Sequence, residues 1–178
     1  CVLWDVEVGK KLNSWSLLDT TSQNPAQVLN PRHVHALCHS PEGTAVAIAL
    51  GDGTLEVRDT SSGALLTSVE AHRCAATQVH FAQSLHWVEH SGNVPCVLSM
   101  GNDCELLMWA VEGGSLLRPP RSKRRKGKDS RPAMCPVLRV PLPCKPNGTT
   151  IVSARNGTHS GVVCVADTSD CVSVWGMR

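Results

Sequence analysis

Histidines and cysteines are the residues of this chain best suited to binding a metal ion. His33, His35 and His39 lie around Cys38, but no second pair of ligands follows at the spacing of a zinc site. The nine cysteines are scattered, their number is odd and no Cys-x-x-Cys occurs, which argues against a zinc knuckle and against a disulfide scaffold. We therefore predict no metal site and interpret the cysteines as small, reduced hydrophobic residues.

Nucleophilic catalysis is the second chemistry that the residue types allow. Ser99, His72 and Asp103 are the residue types of a serine triad, but nothing else in the sequence resembles an active site. Gly51-x-Gly53 is interpreted as a hairpin turn, because it lacks the helix that a phosphate-binding loop requires. The sequence therefore predicts a protein that is not an enzyme and uses no cofactor.

The positive charge of the chain is concentrated in one segment, residues 118–131. The whole chain has a net charge of +2, but without this segment nine basic residues face fourteen acidic ones, a net charge of −5. The basic residues at its centre are Lys123, Arg124, Arg125, Lys126 and Lys128. Three interpretations stay open: a nuclear localisation signal, a contact with nucleic-acid phosphates, and a solvated loop without a partner.

Targeting signals and membrane segments are not evident in the sequence. No apolar run reaches the ~18–20 residues that span a bilayer, and there is no N-terminal signal peptide. We therefore expect a protein of the cytoplasm and/or nucleus that does not associate with membranes. Because the sequence begins with Cys1 and runs straight into a strand-like segment, we expect a fragment of a longer protein.

No segment has a convincing helical pattern, so we expect the residues discussed above to lie on short strands and on the tight turns between them. An apolar run, a turn and an alternating run occupy 44–58, and this pattern returns at 97–109 and 161–175, with only its tail at 2–9. The equivalent positions are Trp4, Arg58, Trp109 and Trp175. Recurrence of such a unit predicts an all-β repeat protein.

The Trp4-Asp5 dipeptide closes a strand, and the repeated units resemble WD40 repeats, the blades of β-propellers. The resemblance implies a hydrogen-bonded network in one unit, formed by His72, Ser99, Asp103 and Trp109. It also implies blade-closing positions in the other units: Trp4, Asp5, Asp52, Asp59 and Trp175. Those units depart from the pattern, because Arg58 replaces Trp in one and Gly176 replaces Asp in another.

This resemblance predicts a partial propeller of about three and a half blades, from a ring of seven. The expected parts are the end of a blade (1–17), a linker (18–30), a degenerate blade (31–73), a blade with the full network (74–117), a disordered basic insertion (118–137) and a C-terminal blade (138–178). Because an open ring exposes sheet edges, we expect the isolated chain to be unstable or to associate.

The resemblance implies a scaffold that binds other proteins. Some WD-repeat proteins are substrate receptors or adaptors of cullin-RING ubiquitin ligases and carry Trp-Asp-x-Arg; residues 4–7 lack its Arg and residues 175–178 lack its Asp. Trp87, in the long segment 82–95, is a candidate partner contact. The alternative function is a nuclear protein associated with nucleic acid or chromatin through residues 118–131.

Overall fold

The computed structural model describes residues 1–17, 31–82, 96–111, 134–152 and 161–177 of the chain. Within these ranges the regular structure consists of β-strands, and no helix occurs. The strands are β1 (Val2–Asp5), β2 (Lys10–Ser14), β3 (Val34–His39), β4 (Ala45–Leu50), β5 (Thr54–Asp59), β6 (Leu65–Glu70), β7 (Ala76–Ala82), β8 (Cys96–Gly101), β9 (Glu105–Val111), β10 (Met134–Pro141), β11 (Pro146–Val152), β12 (Gly161–Asp167) and β13 (Val172–Met177).

The strands form four antiparallel sheets, each a simple meander. The first sheet contains β1 and β2, the second β3 to β6, the third β7 to β10 and the fourth β11 to β13. Short turns join β4 to β5, β5 to β6, β8 to β9 and β12 to β13, and these turns hold glycines and aspartates that the sequence predicts. The prediction of an all-β, repeated architecture is confirmed.

The sheets stack face to face with apolar layers between them. Ile48 and Leu50 pack with Leu17, Cys1 and Trp15, which flank the two strands of the first sheet. Val57 packs in one cluster with Trp109 between the second and third sheets, and Leu98 faces the fourth sheet. Both faces of the second and third sheets are therefore covered, which explains why every residue of β4 and of β8 is buried. Strand β7 contacts β3 on one side and β11 on the other, the radial arrangement of a partial propeller.

One predicted boundary is wrong. The sequence placed 118–137 in the basic insertion and began the last blade at 138, but residues 134–141 form β10, the fourth strand of the third sheet. Pro136 and Pro141 concealed this strand, because proline is unusual in a strand interior; it is tolerated here because β10 lies at the edge of its sheet. The third blade therefore extends to Pro141.

Candidate functional site

Four side chains of the third sheet form one chain of hydrogen bonds. Trp109 Nε1–H donates to Ser99 Oγ over 3.0 Å, and His72 Nε2 lies 2.9 Å from the same oxygen. On the other side of its ring, His72 Nδ1 lies 2.9 Å from Asp103 Oδ1. These residues come from the connection before β7, from β8, from the following turn and from β9, so the network ties all four parts together.

The pattern of partners assigns the protons of this network. The Asp103 carboxylate only accepts, so His72 donates to it from Nδ1. Because burial lowers the pKa of His72, the ring holds this one proton, and Nε2 accepts from the Ser99 hydroxyl, whose oxygen accepts from Trp109. His72 is then neutral, since the effect of burial on its pKa outweighs the opposite effect of Asp103.

The same arrangement resembles a serine triad, but its nucleophile is sealed. Ser99 has no exposed surface, and His72 is only 5% exposed. The hydroxyl oxygen of Ser99 also accepts a hydrogen bond from the Trp109 N–H, so an acyl substrate cannot approach this oxygen. The network is suited to holding strands together and not to attacking a substrate.

The network also fixes the connection that enters the third sheet. The Asp103 carboxylate accepts from the backbone N–H of Arg73 over 3.0 Å, while the backbone N–H of His72 donates to Gly53 of the second sheet. Gly101 leaves the space for this packing, since a Cβ there would lie 2.6 Å from the His72 ring. The sequence indicated His72 and Asp103, but it did not indicate the need for Gly101.

A cluster of charged residues occupies the corresponding region of the second sheet. Arg58, at the position equivalent to Trp109, donates from Nε to Glu56 Oε2 over 2.7 Å and from Nη1 to the carbonyl of Gly63 over 2.9 Å. Glu56 has no exposed surface and also pairs with Arg32. The Nε atom of Arg32 lies 3.8 Å from Oδ2 of Asp52. We call Arg32, Asp52, Glu56 and Arg58 the ionic cluster.

Sequence reasoning missed the ionic cluster. Glu56 alternates with Leu55 and Val57, so it occupies what the pattern presents as the solvent face of β5. The signal was the charge pair itself: Glu56 and Arg58 are two residues apart and therefore share a face of the strand. That face is buried because its neighbour Ile48 packs with Cys1, Trp15 and Leu17, and the sequence of β5 alone gives no sign of these contacts.

The predicted blade-closing aspartates cap turns. Asp5 Oδ1 accepts from the backbone N–H of Glu7 over 3.0 Å, and Asp52 Oδ1 accepts from that of Thr54 over 3.0 Å. Asp59 Oδ1 accepts from the hydroxyl of Ser61 over 2.7 Å, which lowers the pKa of that carboxyl.

The predicted blade-closing tryptophans differ from Trp109 in their exposure. Trp4 is 55% exposed and Trp175 is 41% exposed, whereas Trp109 is buried. In the fourth sheet the turn is capped by Asp167, whose carboxylate accepts from the backbone N–H of Ser169 over 2.8 Å. The hydrogen bonds of Ser169 lower the pKa of Asp167.

Two predicted contact regions lie outside the described residues. They are the candidate partner contact Trp87 and the basic residues Lys123, Arg124, Arg125, Lys126 and Lys128. In the part of the chain that the structure describes, no group of three or more His, Cys, Asp or Glu is arranged to hold a metal ion. The described residues also contain no helix long and apolar enough to cross a membrane.

A groove of about 670 Å³ lies where the second and third sheets meet at their outer strands. One wall is the connection from Glu70 to Arg73, and the other contains Glu105 of β9 with Val137 and Arg139 of β10. His72 and Trp109 of the network also line it, so the network supports the groove from behind. We call this feature the blade groove.

A comparison with known protein families identifies the family of this chain. The family model described as "Anaphase-promoting complex subunit 4 WD40 domain" matches residues 11–112, which is more than half of the sequence. The chain belongs to this WD40 domain family. The match includes the ionic cluster and the network, and no curated protein sequence matches the chain.

Solved structures show the same WD40 fold. The WD40 domain of SCAP from fission yeast superposes with a TM-score of 0.63 at 13% identity, over 99% of this chain and 34% of that one. The β-propeller domain of Cps50 (Swd1) from Myceliophteria thermophila superposes with a TM-score of 0.57 at 11% identity, over 82% of this chain and 40% of that one. The chain therefore spans less than half the length of either neighbour.

Proposed function

We propose that this WD40 chain is a non-enzymatic platform for binding other proteins. The observation that carries the proposal is the blade groove, an accessible recess whose back is held by the buried network. Ser99, His72 and Asp103, the residue types of a serine triad, are hydrogen-bonded within that network, and Ser99 is fully buried. A partner therefore meets a surface that is already shaped, which lowers the entropic cost of binding.

The test is affinity purification of the full-length protein, with and without residues 118–131. The proposal expects the same partner proteins at similar yield from both forms, because the platform is the propeller and not the basic segment. Recovery of no partner from either form contradicts the proposal.

A finer proposal is that the protein is a substrate receptor or adaptor of a cullin-RING ubiquitin ligase. Its support is twofold: the family model is named for a subunit of a multiprotein complex, and residues 4–7 and 175–178 each contain part of Trp-Asp-x-Arg. The ligase adaptor is expected among the purified partners. Its absence, with other partners present, rejects the ligase role and leaves the platform role standing.

The alternative is a nuclear protein that associates with nucleic acid or chromatin. The described residues contain eleven Asp and Glu against seven Lys and Arg, whereas residues 118–131 hold eight basic residues and one acid. Alanine at all positions of 123–126 is expected to abolish salt-dependent nucleic-acid binding under this alternative. Loss of nuclear accumulation alone indicates a localisation signal, and it fits a platform protein that occupies both cytoplasm and nucleus.

We also propose that the chain is similar to the C-terminal half of WD repeat-containing protein 53. The support is the order of the units: an incomplete blade, a blade with Arg58 in place of Trp, the complete network, a basic segment and a last strand near Val172. Sequencing of the full-length transcript tests this proposal. A chain that encodes no further WD-type strand pattern contradicts it.

A further inference from the structure

Strand β11 contains an Asn-Gly pair, Asn147-Gly148, near its beginning. This dipeptide is typical of hairpin turns and is unfavourable within a strand. Across the ladder Pro146 pairs with Asp167 and Gly148 pairs with Ala166, so Asn147 is the extra residue of a β-bulge. Asn147 therefore has no partner residue on β12, although it lies between two residues that do.

The side chain of Asn147 is exposed, and a hydrogen bond anchors its amide group. Its Nδ2 donates to the backbone carbonyl of Asp167 over 3.1 Å. Beside it Gly148 has open space, since a Cβ at that position would meet nothing within 4 Å. The amide carbon of Asn147 is thus accessible to water, and the backbone nitrogen that follows it belongs to a residue without a side chain.

Other asparagines that the structure describes differ from Asn147 in the residue that follows. Asn13 precedes Ser14, whose backbone N–H already donates to Asn13 Oδ1 over 2.8 Å. Asn102 precedes Asp103, which also carries a side chain. In the described part of the chain, Asn147 is the asparagine that combines an exposed amide with a following glycine.

We propose that Asn147 is a site of spontaneous deamidation. The backbone nitrogen of Gly148 attacks Cγ of Asn147, and the new N–Cγ bond closes a cyclic succinimide. The Cγ–Nδ2 bond breaks, and the departing nitrogen takes up the proton that the Gly148 nitrogen loses, so ammonia is released. Water then opens the ring at either carbonyl and leaves aspartate or isoaspartate. The attack is intramolecular, which favours it over direct hydrolysis of the amide by water.

The product changes the start of the fourth sheet. An aspartate at position 147 has no N–H to donate to the Asp167 carbonyl, and it adds a negative charge where the Asp167 carboxylate already has a lowered pKa because of its hydrogen bonds with Ser169. Isoaspartate also lengthens the backbone by one carbon atom inside the bulge. Deamidation therefore loosens the neighbouring backbone bond, in which the Thr168 N–H donates to the Lys145 carbonyl over 2.9 Å.

The test is peptide mapping by mass spectrometry of the full-length protein after incubation in mildly alkaline buffer. The peptide that contains Asn147 should gain the mass difference between an acid and an amide, whereas the peptide that contains Asn13 should not. Gly148→Ala, which the open space accommodates, should slow the conversion by about tenfold or more, because a Cβ hinders the attacking nitrogen. The matched control is Thr150→Ala, at an exposed residue of the same strand, which should leave the rate unchanged.

Two results of this mapping overturn the proposal. One is an unchanged Asn147 peptide from the folded protein, whether or not the urea-unfolded protein converts, because the fold then protects the site. The other is an equal rate in the unmodified protein and in Gly148→Ala, because the reaction then does not pass through the Gly148 nitrogen.

An Asn147→Asp variant tests the structural consequence by amide hydrogen exchange. Loss of one side-chain hydrogen bond should make the Thr168 amide exchange about fivefold faster. The amide of Asn102, which donates to the Ala75 carbonyl in the third sheet, is the internal control and should exchange at its original rate. Unchanged exchange at Thr168, or equal acceleration at both amides, overturns the proposed loosening.

Discussion

Replacement of Ser99 by alanine tests the network where its bonds converge. The Ser99 oxygen serves both Trp109 Nε1 and His72 Nε2, and each of these three residues is at most 5% exposed. Its removal leaves one buried donor and one buried acceptor without a partner. Each such group costs roughly 1–2 kcal/mol, so we expect the free energy of unfolding to fall by about 2–4 kcal/mol.

The assay is urea unfolding of the full-length protein followed by far-ultraviolet circular dichroism. Ser68→Ala, at an exposed strand serine, is the matched control and should change the free energy of unfolding by less than about 0.5 kcal/mol. In the double variant Ser99→Ala/Trp109→Phe the orphaned donor is also gone. The double-mutant cycle should therefore show a coupling of about 1–2 kcal/mol. A loss for Ser99→Ala no larger than that for Ser68→Ala would refute the reasoning.

Three further changes test other parts of the fold by the same unfolding measurement. Glu56→Gln leaves Arg32 and Arg58 buried beside a neutral group and should cost about 3–5 kcal/mol; a cost below that of exposed Glu42→Gln would contradict the ionic cluster. Burial lowers the pKa of His72 in the folded chain, so as the pH falls the unfolded chain takes up this proton at a higher pH than the folded chain does. The free energy of unfolding should therefore decrease from pH 7 to pH 5, and it should decrease less in His72→Gln. An equal decrease in both proteins would exclude His72 as the cause. Gly53→Ala should destabilise by about 1–3 kcal/mol, because φ is +84° and a Cβ would collide with the His72 carbonyl, whereas Gly148→Ala meets open space; equal effects would contradict the close approach.

The repeated strands could be predicted because each depends on local pattern. Apolar runs, alternation and Asp-Gly turns recur along the chain, and they indicated β4, β5, β8, β9, β12 and β13. The pairing of His72 with Asp103 followed from the family resemblance. Spacing alone does not give it, since the two residues are 31 positions apart.

The features that the sequence did not predict depend on neighbouring sheets. Strand β10 was overlooked because Pro136 and Pro141 signal a break unless their edge position is known. Burial of Glu56 depends on what covers its face of the sheet, where the paired residue Ile48 packs with Cys1, Trp15 and Leu17. The need for glycine at position 101 arises only when the His72 ring packs there. In each case the deciding contact comes from a separate element.

The protein-binding role is tested most directly by calorimetric titration of the full-length protein with its most abundant co-purifying protein, after nuclease treatment of both. The proposed platform predicts saturable binding at a fixed stoichiometry, unchanged by deletion of residues 118–131. Binding that disappears with the nuclease or with that deletion would contradict it and would favour the nucleic-acid alternative.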